Sequence, residues 1–220
     1  MIQIPVHNAH GEQVDSLDID EQLLGGEIHP ILLKQAIVRY QANQRRGSAK
    51  TRNRSELRGS GRKLFRQKGT GNARRGDRSA NILRGGAHAH AKRPRSFHQR
   101  MPMKMRRLAN RNALLAKALD GQIRVIDKFE FDRPNTKQFT QILECLKVDR
   151  SCLLALGSTS GNETISAQNI HQLSITQIDR LNALQLLSHW YLLTDQAALE
   201  GWLKRSHGPS DQANSGQEAA

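Results

Sequence analysis

Apolar and polar residues alternate at the start of the chain. Ile2, Ile4 and Val6 recur at every second position, which predicts a strand over Ile2–Val6; His10-Gly11 reads as a turn and Gln13–Ile19 as a second strand. The period then changes. From Pro30 the stretch ILLKQAIVRYQANQ spaces Ile31, Leu32, Gln35, Ala36 and Arg39 as the faces of a helix. A proline in the first turn costs little, because the N–H it lacks would be unpaired there anyway. Helical spacing resumes at Lys104–Leu119 through Met105, Leu108, Leu115 and Leu119, with Asp120-Gly121 as the C-terminal stop. Beyond it, QIRVIDKF (122–129) predicts a strand, and Thr136 an N-cap for a helix running to Lys147. SCLLAL (151–156) is an unbroken apolar run, the mark of a strand covered on both faces. Short helices over Asn162–Asn169 and Ala183–Ser188 alternate with strands over Leu173–Ile178 and Trp190–Leu193. Thr194 then caps a last helix, Asp195–Arg205. Strands alternating with helices predict an α/β fold, with a mostly parallel sheet flanked by helices.

Between the two long helices neither period is present. Residues 44–103 carry glycine after glycine, which breaks helices and gives strands little to pair. An irregular loop of this length inside a compact domain points to function or disorder. The segment is therefore expected to be a long loop inserted in one body. That body comprises 1–43 and 104–207 together, since neither flank completes the alternating pattern alone. A polar tail, 208–220, is expected to be disordered.

Charge sharpens this division. The 220 residues hold 34 Lys and Arg against 20 Asp and Glu, a net of +14. Between Gln44 and Arg111 lie 22 of the cations and only two acids, Glu56 and Asp77, a net of +20, so the remainder nets −6. A solvated helix face mixes both signs, whereas this segment does not, and it predicts a polyanionic partner. The candidate contacts are Arg45, Arg46, Lys50, Arg52, Arg54, Arg58, Arg62, Lys63, Arg66, Lys68, Arg74, Arg75, Arg78, Arg84, Lys92, Arg93, Arg95 and Arg100. Arginine offers planar bidentate contacts to phosphate and can stack on bases, and glycine lets backbone N–H groups approach phosphate. Irregular RNA fits better than duplex DNA, since no helix-turn-helix, zinc finger or basic zipper is present. Like-charge repulsion is expected to keep the arm mobile until RNA orders it.

Catalytic chemistry is sparse. Gly69-Thr-Gly71 opens like a dinucleotide fingerprint, but Arg74 replaces the third glycine and no strand precedes it. There is no phosphate-binding loop of the GxxxxGK[ST] type and no GxSxG elbow. His88, His90 and His98 lack a further acidic or thiol ligand at close spacing and sit among arginines that repel cations, so no metal or other cofactor is expected. Asp127, Glu130 and Asp132 read as solvent-facing charge. Cys145 and Cys152, both among apolar neighbours, read as buried free thiols of a reducing compartment. No apolar run approaches the ~18 residues of a membrane span, and MIQIPVHNAHGEQ has neither the basic nor the apolar region of a signal peptide. No membrane contact, small-molecule substrate or enzymatic activity is expected.

The segments TRNRSELRGSGRKLFRQKGTGNARRG, LRGGAHAHAKRPRSF and MKMRRLANRNAL resemble the large-subunit ribosomal protein four family, in its bacterial form. The matched positions include Arg54-Ser55-Glu56, Gly61-Arg62-Lys63, Arg66-Gln67-Lys68-Gly69-Thr70-Gly71, Arg84-Gly85-Gly86 and Pro94-Arg95. Phe65 stands where a tryptophan is usual and Leu83 where a second aromatic is usual. Asn72 replaces an arginine, Arg75 a small residue and Lys92 a proline. The resemblance implies a structural, cytoplasmic, ribosome-bound protein that binds 23S-type rRNA early in assembly. It further implies an arm that reaches the polypeptide exit tunnel and helps form its constriction with the twenty-second large-subunit protein. The tip would comprise Gln67, Lys68, Gly69, Thr70, Gly71, Asn72, Ala73 and Arg74. Repression of its own operon occurs in some members. A regulatory RNA-binding protein acting outside the ribosome is the alternative.

Overall fold

A computed structural model describes residues 1–129 and 131–206. They fall into two compact units, one formed by Met1–Tyr40 with the chain from Arg100 onward, the other by Gln41–Gln99. The expected tail, 208–220, and Glu130 lie outside the described residues.

The first unit is a six-stranded sheet with helices on both faces. Its strands are β1 (Ile2–His7), β2 (Gln13–Ile19), β3 (Ile123–Ile126), β4 (Cys152–Leu156), β5 (Leu173–Gln177) and β6 (Tyr191–Asp195), in the order β2-β1-β3-β6-β4-β5. Only the β1–β2 hairpin is antiparallel. β1 and β3 are adjacent although more than a hundred residues separate them, so the chain on either side of the basic segment builds one sheet. This is the mostly parallel α/β architecture that the alternating pattern predicts.

The helices are α1 (Pro30–Gln44), α2 (Met103–Leu119), α3 (Thr136–Cys145), α4 (Asn162–Ala167), α5 (Ala183–Ser188) and α6 (Gln196–Ser206). The side-chain alternation of each inner strand feeds two cores. In β4, Leu153 and Ala155 join the core formed with α1, α2, α5 and α6, while Cys152, Leu154 and Leu156 join the core beneath α3 and α4. That explains why its apolar run is unbroken: no residue of β4 faces water. β6 splits likewise between Leu192 and Leu193.

Several local expectations need correction. α3 is capped by Asn135, whose side chain accepts from the N–H groups of Lys137 and Gln138; Thr136 is already helical. The helix stops at Cys145, before Lys147, which adopts a positive φ of 55°. β6 continues through Thr194 and Asp195, which pair with Val125 and Ile126. Thr194 is therefore a buried strand residue rather than a cap, and the Asp195 carboxylate accepts from Ala198 N–H at the start of α6. α1 buries Leu33 and Ala36 and leaves Ile31 exposed. Leu119 of α2 is exposed too, and its buried stripe runs through Ala109, Asn112, Ala113, Leu115 and Ala118. Cys152 is buried, and burial pushes its thiol up to about 12. Cys145 is exposed, because the apolar stripe of α3 passes through Phe139, Ile142 and Leu143 and continues into Leu146, leaving Cys145 to one side.

Asn112 is the polar centre of the first core. Fully buried, it donates from Nδ2 to Leu24 O at 3.0 Å and accepts from His29 N–H at 3.1 Å. It thus ties α2 to the loop that leads into α1. Gly25 in that loop has φ 105°, and a Cβ there would lie 2.6 Å from Asn112 Nδ2, so glycine is required twice over.

Candidate nucleic-acid interface

The second unit contains almost no regular structure. Beyond the last turn of α1, its helical structure is a single 3-10 turn, Arg54–Glu56, capped by Asn53 and by the reciprocal bond from Asn53 N–H to Glu56. Instead, two irregular legs are joined by scattered backbone bonds. Arg95 N–H donates to Gly47 O at 3.1 Å, Thr51 N–H to Lys92 O at 3.0 Å and His88 N–H to Arg52 O at 3.1 Å. Further out, Leu64 N–H donates to Gly76 O at 2.9 Å and closes the tip. Glycine matters at the root: Gly47 has φ 68°, and a Cβ there would collide with the carbonyl oxygen of Arg95.

This framework displays the cations. Of the candidate contacts, all are exposed except Arg75, which is half-buried; Arg100 falls in the other unit. From Gln67 to Arg74 the tip is exposed apart from half-buried Thr70, and Gly69 and Gly71 turn the chain with φ of 81° and 66°. Lys63 Nζ donates to Gln67 Oε1 at 2.6 Å beside it. Phe65, where the family pattern has a larger ring, is exposed together with Leu64, so apolar surface lies next to the basic tip.

Two features of this unit escape sequence reasoning. Phe97 carries the Arg45 and Arg95 guanidiniums over its ring, at 3.8 and 4.4 Å from the centroid. The same residues, with Arg46, Lys92 and Arg93, border a cavity of about 760 Å³, large enough for a nucleotide. The nearby arginines around an isolated aromatic were the available signal. Asp77 is the second feature: its carboxylate accepts from Arg54 and from the Ser79 hydroxyl. Nothing in the spacing of Arg54 and Asp77 announces that contact.

In the first unit a cleft of about 420 Å³ lies at the C-terminal ends of β3, β4 and β6. Asp127, Glu163, Asp195 and Glu200 border it with Lys128. Asp127 is exposed just past the end of β3, as expected of solvent-facing charge, and the parallel topology gathers it with distant acids at one sheet edge. Burial holds Asp195 above the usual carboxylate range, with a smaller contribution from the charge of Glu163. A cleft of that sign repels phosphate. Among the described residues, no three His, Cys, Asp or Glu side chains lie close enough to hold a metal, and no helix is long and apolar enough to cross a membrane.

An α/β body bearing an exposed, cation-dense excursion is the build of a nucleic-acid-binding scaffold. Residues 17–205 match the ribosomal protein L4/L1 family. The large ribosomal subunit protein uL4 of Dehalococcoides mccartyi is 39% identical over 209 residues, which cover 93% of this chain and 100% of the relative. Its namesake in Rhodopirellula baltica is 36% identical over 223 residues and 100% of both chains, and that of Salinibacter ruber is 42% identical over 168 residues, 76% and 78% of the two chains. The chain belongs to the ribosomal protein L4/L1 family, as its arm motifs imply. Members are structural, non-enzymatic proteins of the ribosome; rRNA binding and a part in translation follow from membership.

Proposed function

We propose that the chain binds large-subunit rRNA early in assembly through its arm. The tip, Gln67–Arg74, would then reach the polypeptide exit tunnel and help form its constriction beside the twenty-second large-subunit protein. As a family member the chain is a structural constituent of the large ribosomal subunit. What carries the finer reading is the arm itself, irregular, exposed and dense in cations, with glycine turns at its tip. Such a segment cannot follow a duplex groove as a helix or ribbon would, but it suits the narrow, irregular spaces of folded rRNA. The polar contacts inside the arm are weak in water, so RNA supplies the counter-charge that makes its conformation persist. Autogenous regulation of its operon belongs to the same reading, since the arm that recognises rRNA can recognise a leader transcript of like shape.

Sedimentation tests this. The protein should travel with large subunits through a sucrose gradient at physiological salt, and a variant lacking residues 62–76 should enter particles less efficiently. Absence of the intact protein from large subunits would leave the alternative, an RNA-binding regulator acting outside the ribosome.

A further inference from the structure

The arm has a net charge of the sign that attracts RNA, yet it keeps a carboxylate in contact with one of its arginines. Asp77 Oδ1 lies 2.8 Å from Arg54 Nη2, and Oδ2 accepts from the Ser79 hydroxyl at 2.6 Å. The Asp77 side chain is 13% exposed, while Arg54 remains 65% exposed. The Ser79 hydroxyl and then the Arg54 guanidinium hold the carboxyl below its ordinary range, so it is ionised wherever the protein works. Arg54 belongs to the outward leg and Asp77 to the return leg. Backbone bonds flank the pair on both sides: Leu64 N–H to Gly76 O, and Ala87 N–H to Ser79 O at 3.0 Å. The two residues also border a cleft of about 380 Å³ shared with Arg58, Arg78 and the backbone of Gly59 and Gly61.

A guanidinium has five N–H donors in a rigid fork. Asp77 occupies part of that fork, and the exposure of Arg54 leaves the rest in water. We propose that Asp77 is a positioning residue for RNA recognition, holding Arg54 at the rim of this cleft so that Arg54, Arg58 and Arg78 meet RNA phosphates as a preset constellation. The proposal rests on the RNA-binding reading given above. Its physical content is preorganisation: an arginine already fixed loses less side-chain freedom on binding. The cost is one negative charge in the arm, which weakens attraction to any polyanion.

The two effects have opposite signs, and that makes them separable. Asp77→Ala adds one unit of positive charge. Electrostatics alone therefore requires tighter binding to every RNA. Positioning requires weaker binding, by about threefold to tenfold, to RNA of the cognate shape, which is the scale of ordering one long side chain on binding. The experiment is filter binding of the full-length protein at fixed salt to two probes, in vitro transcribed 23S-type rRNA and polyuridylate, with the melting of the body as a folding check. The expected result is loss for rRNA with no loss for polyuridylate. In an Arg54→Ala background, Asp77→Ala should cost nothing further, because the partner it positions is gone. Equal or tighter rRNA binding by Asp77→Ala overturns the proposal, as does an equal loss in both backgrounds. If the wild-type protein itself shows no preference for rRNA over polyuridylate, the reading of the arm falls and the role of Asp77 with it.

Discussion

Replacing Asn112 by alanine tests whether the body is held at one polar point. The substitution strands two backbone groups, Leu24 O and His29 N–H, now bonded at 3.0 and 3.1 Å. Leu24 is fully buried, so its carbonyl bears the cost of an unmet buried acceptor, about 1–3 kcal/mol. His29 is exposed, so its N–H can regain water and its loss sits at the low end of that range. The void left in a core of closely packed alanines and leucines adds about 1 kcal/mol. The sum is about 3–5 kcal/mol, which for a body of this size lowers Tm by about 6–20 °C. Urea melts followed by circular dichroism should show a lower midpoint at unchanged slope. A companion, Asn112→Asp, keeps an acceptor for His29 but turns a carboxylate toward Leu24 O. Burial raises the pKa of such a group, so its folded value lies above its unfolded one. Its stability deficit should thus be smallest below the ordinary Asp value of about 4 and grow as pH rises through the raised value. A loss below about 0.5 kcal/mol for Asn112→Ala, the scale of an ordinary surface change, would refute the assignment.

The arm and the sheet edge make further expectations. Replacing Arg66, Lys68 and Arg74 together by alanine should leave the melting of the body within about 0.5 kcal/mol of wild type. It should also flatten the salt dependence of RNA binding by about two logarithmic units per decade of salt, and an unchanged slope would count against contact by the tip. Gly47→Ala should weaken RNA binding while sparing the body, because its Cβ would force apart the Gly47–Arg95 pairing at the root. Asp195→Asn keeps an acceptor for Ala198 N–H and removes a charge that burial disfavours. The variant should be more stable than wild type at neutral pH, with the advantage fading as pH falls through the raised Asp195 value; a constant difference at all pH values would contradict this. Iodoacetamide at about pH 8 should modify Cys145 and spare Cys152 in the native protein, as mass spectrometry would record, since only Cys145 is exposed and the Cys152 thiol is pushed up to about 12.

How much of this was legible depends on the range of the cause. β2 and α5 begin and end where the residue pattern predicts, because alternation and short helical periods are local signals. The doubly covered strand β4 was legible for the same reason. Caps were misassigned by one residue at Thr136 and Thr194. Both are good capping types, but Asn135 precedes the first, and the ladder to β3 draws the second into a strand. The buried stripes of α1 and α2 depend on which neighbours cover them, so Leu33 rather than Ile31 is inside. Asn112 could not be found at all, since its partners lie 83 and 88 residues away. The acids at Asp127, Glu163, Asp195 and Glu200 are likewise joined only by topology. In the arm, charge and glycine announced the kind of partner, whereas the Arg54–Asp77 pair and the Phe97 stack had no periodic signature.

The two units are stabilised by different physics, and this bears on how the protein works. The body owes its stability to two apolar cores whose burial hardly depends on salt. The arm buries one apolar residue, Ala87, and is otherwise held by polar contacts: backbone bonds, an Asn53 cap, the Asp77 contacts, two arginines on Phe97 and exposed ion pairs such as Lys50–Glu56 at 3.7 Å. Exposed pairs of that kind contribute about 0–1 kcal/mol each and are screened by salt. Against them stands the mutual repulsion of a segment whose only acids are Glu56 and Asp77. Raising salt therefore weakens the internal ties of the arm and its attraction to RNA together, while relieving its self-repulsion. The melting of the body should ignore salt over the range in which RNA affinity falls steeply. The arm's conformation and its binding are then one equilibrium, biased by phosphate, and Asp77 matters because it fixes part of that conformation before phosphate arrives.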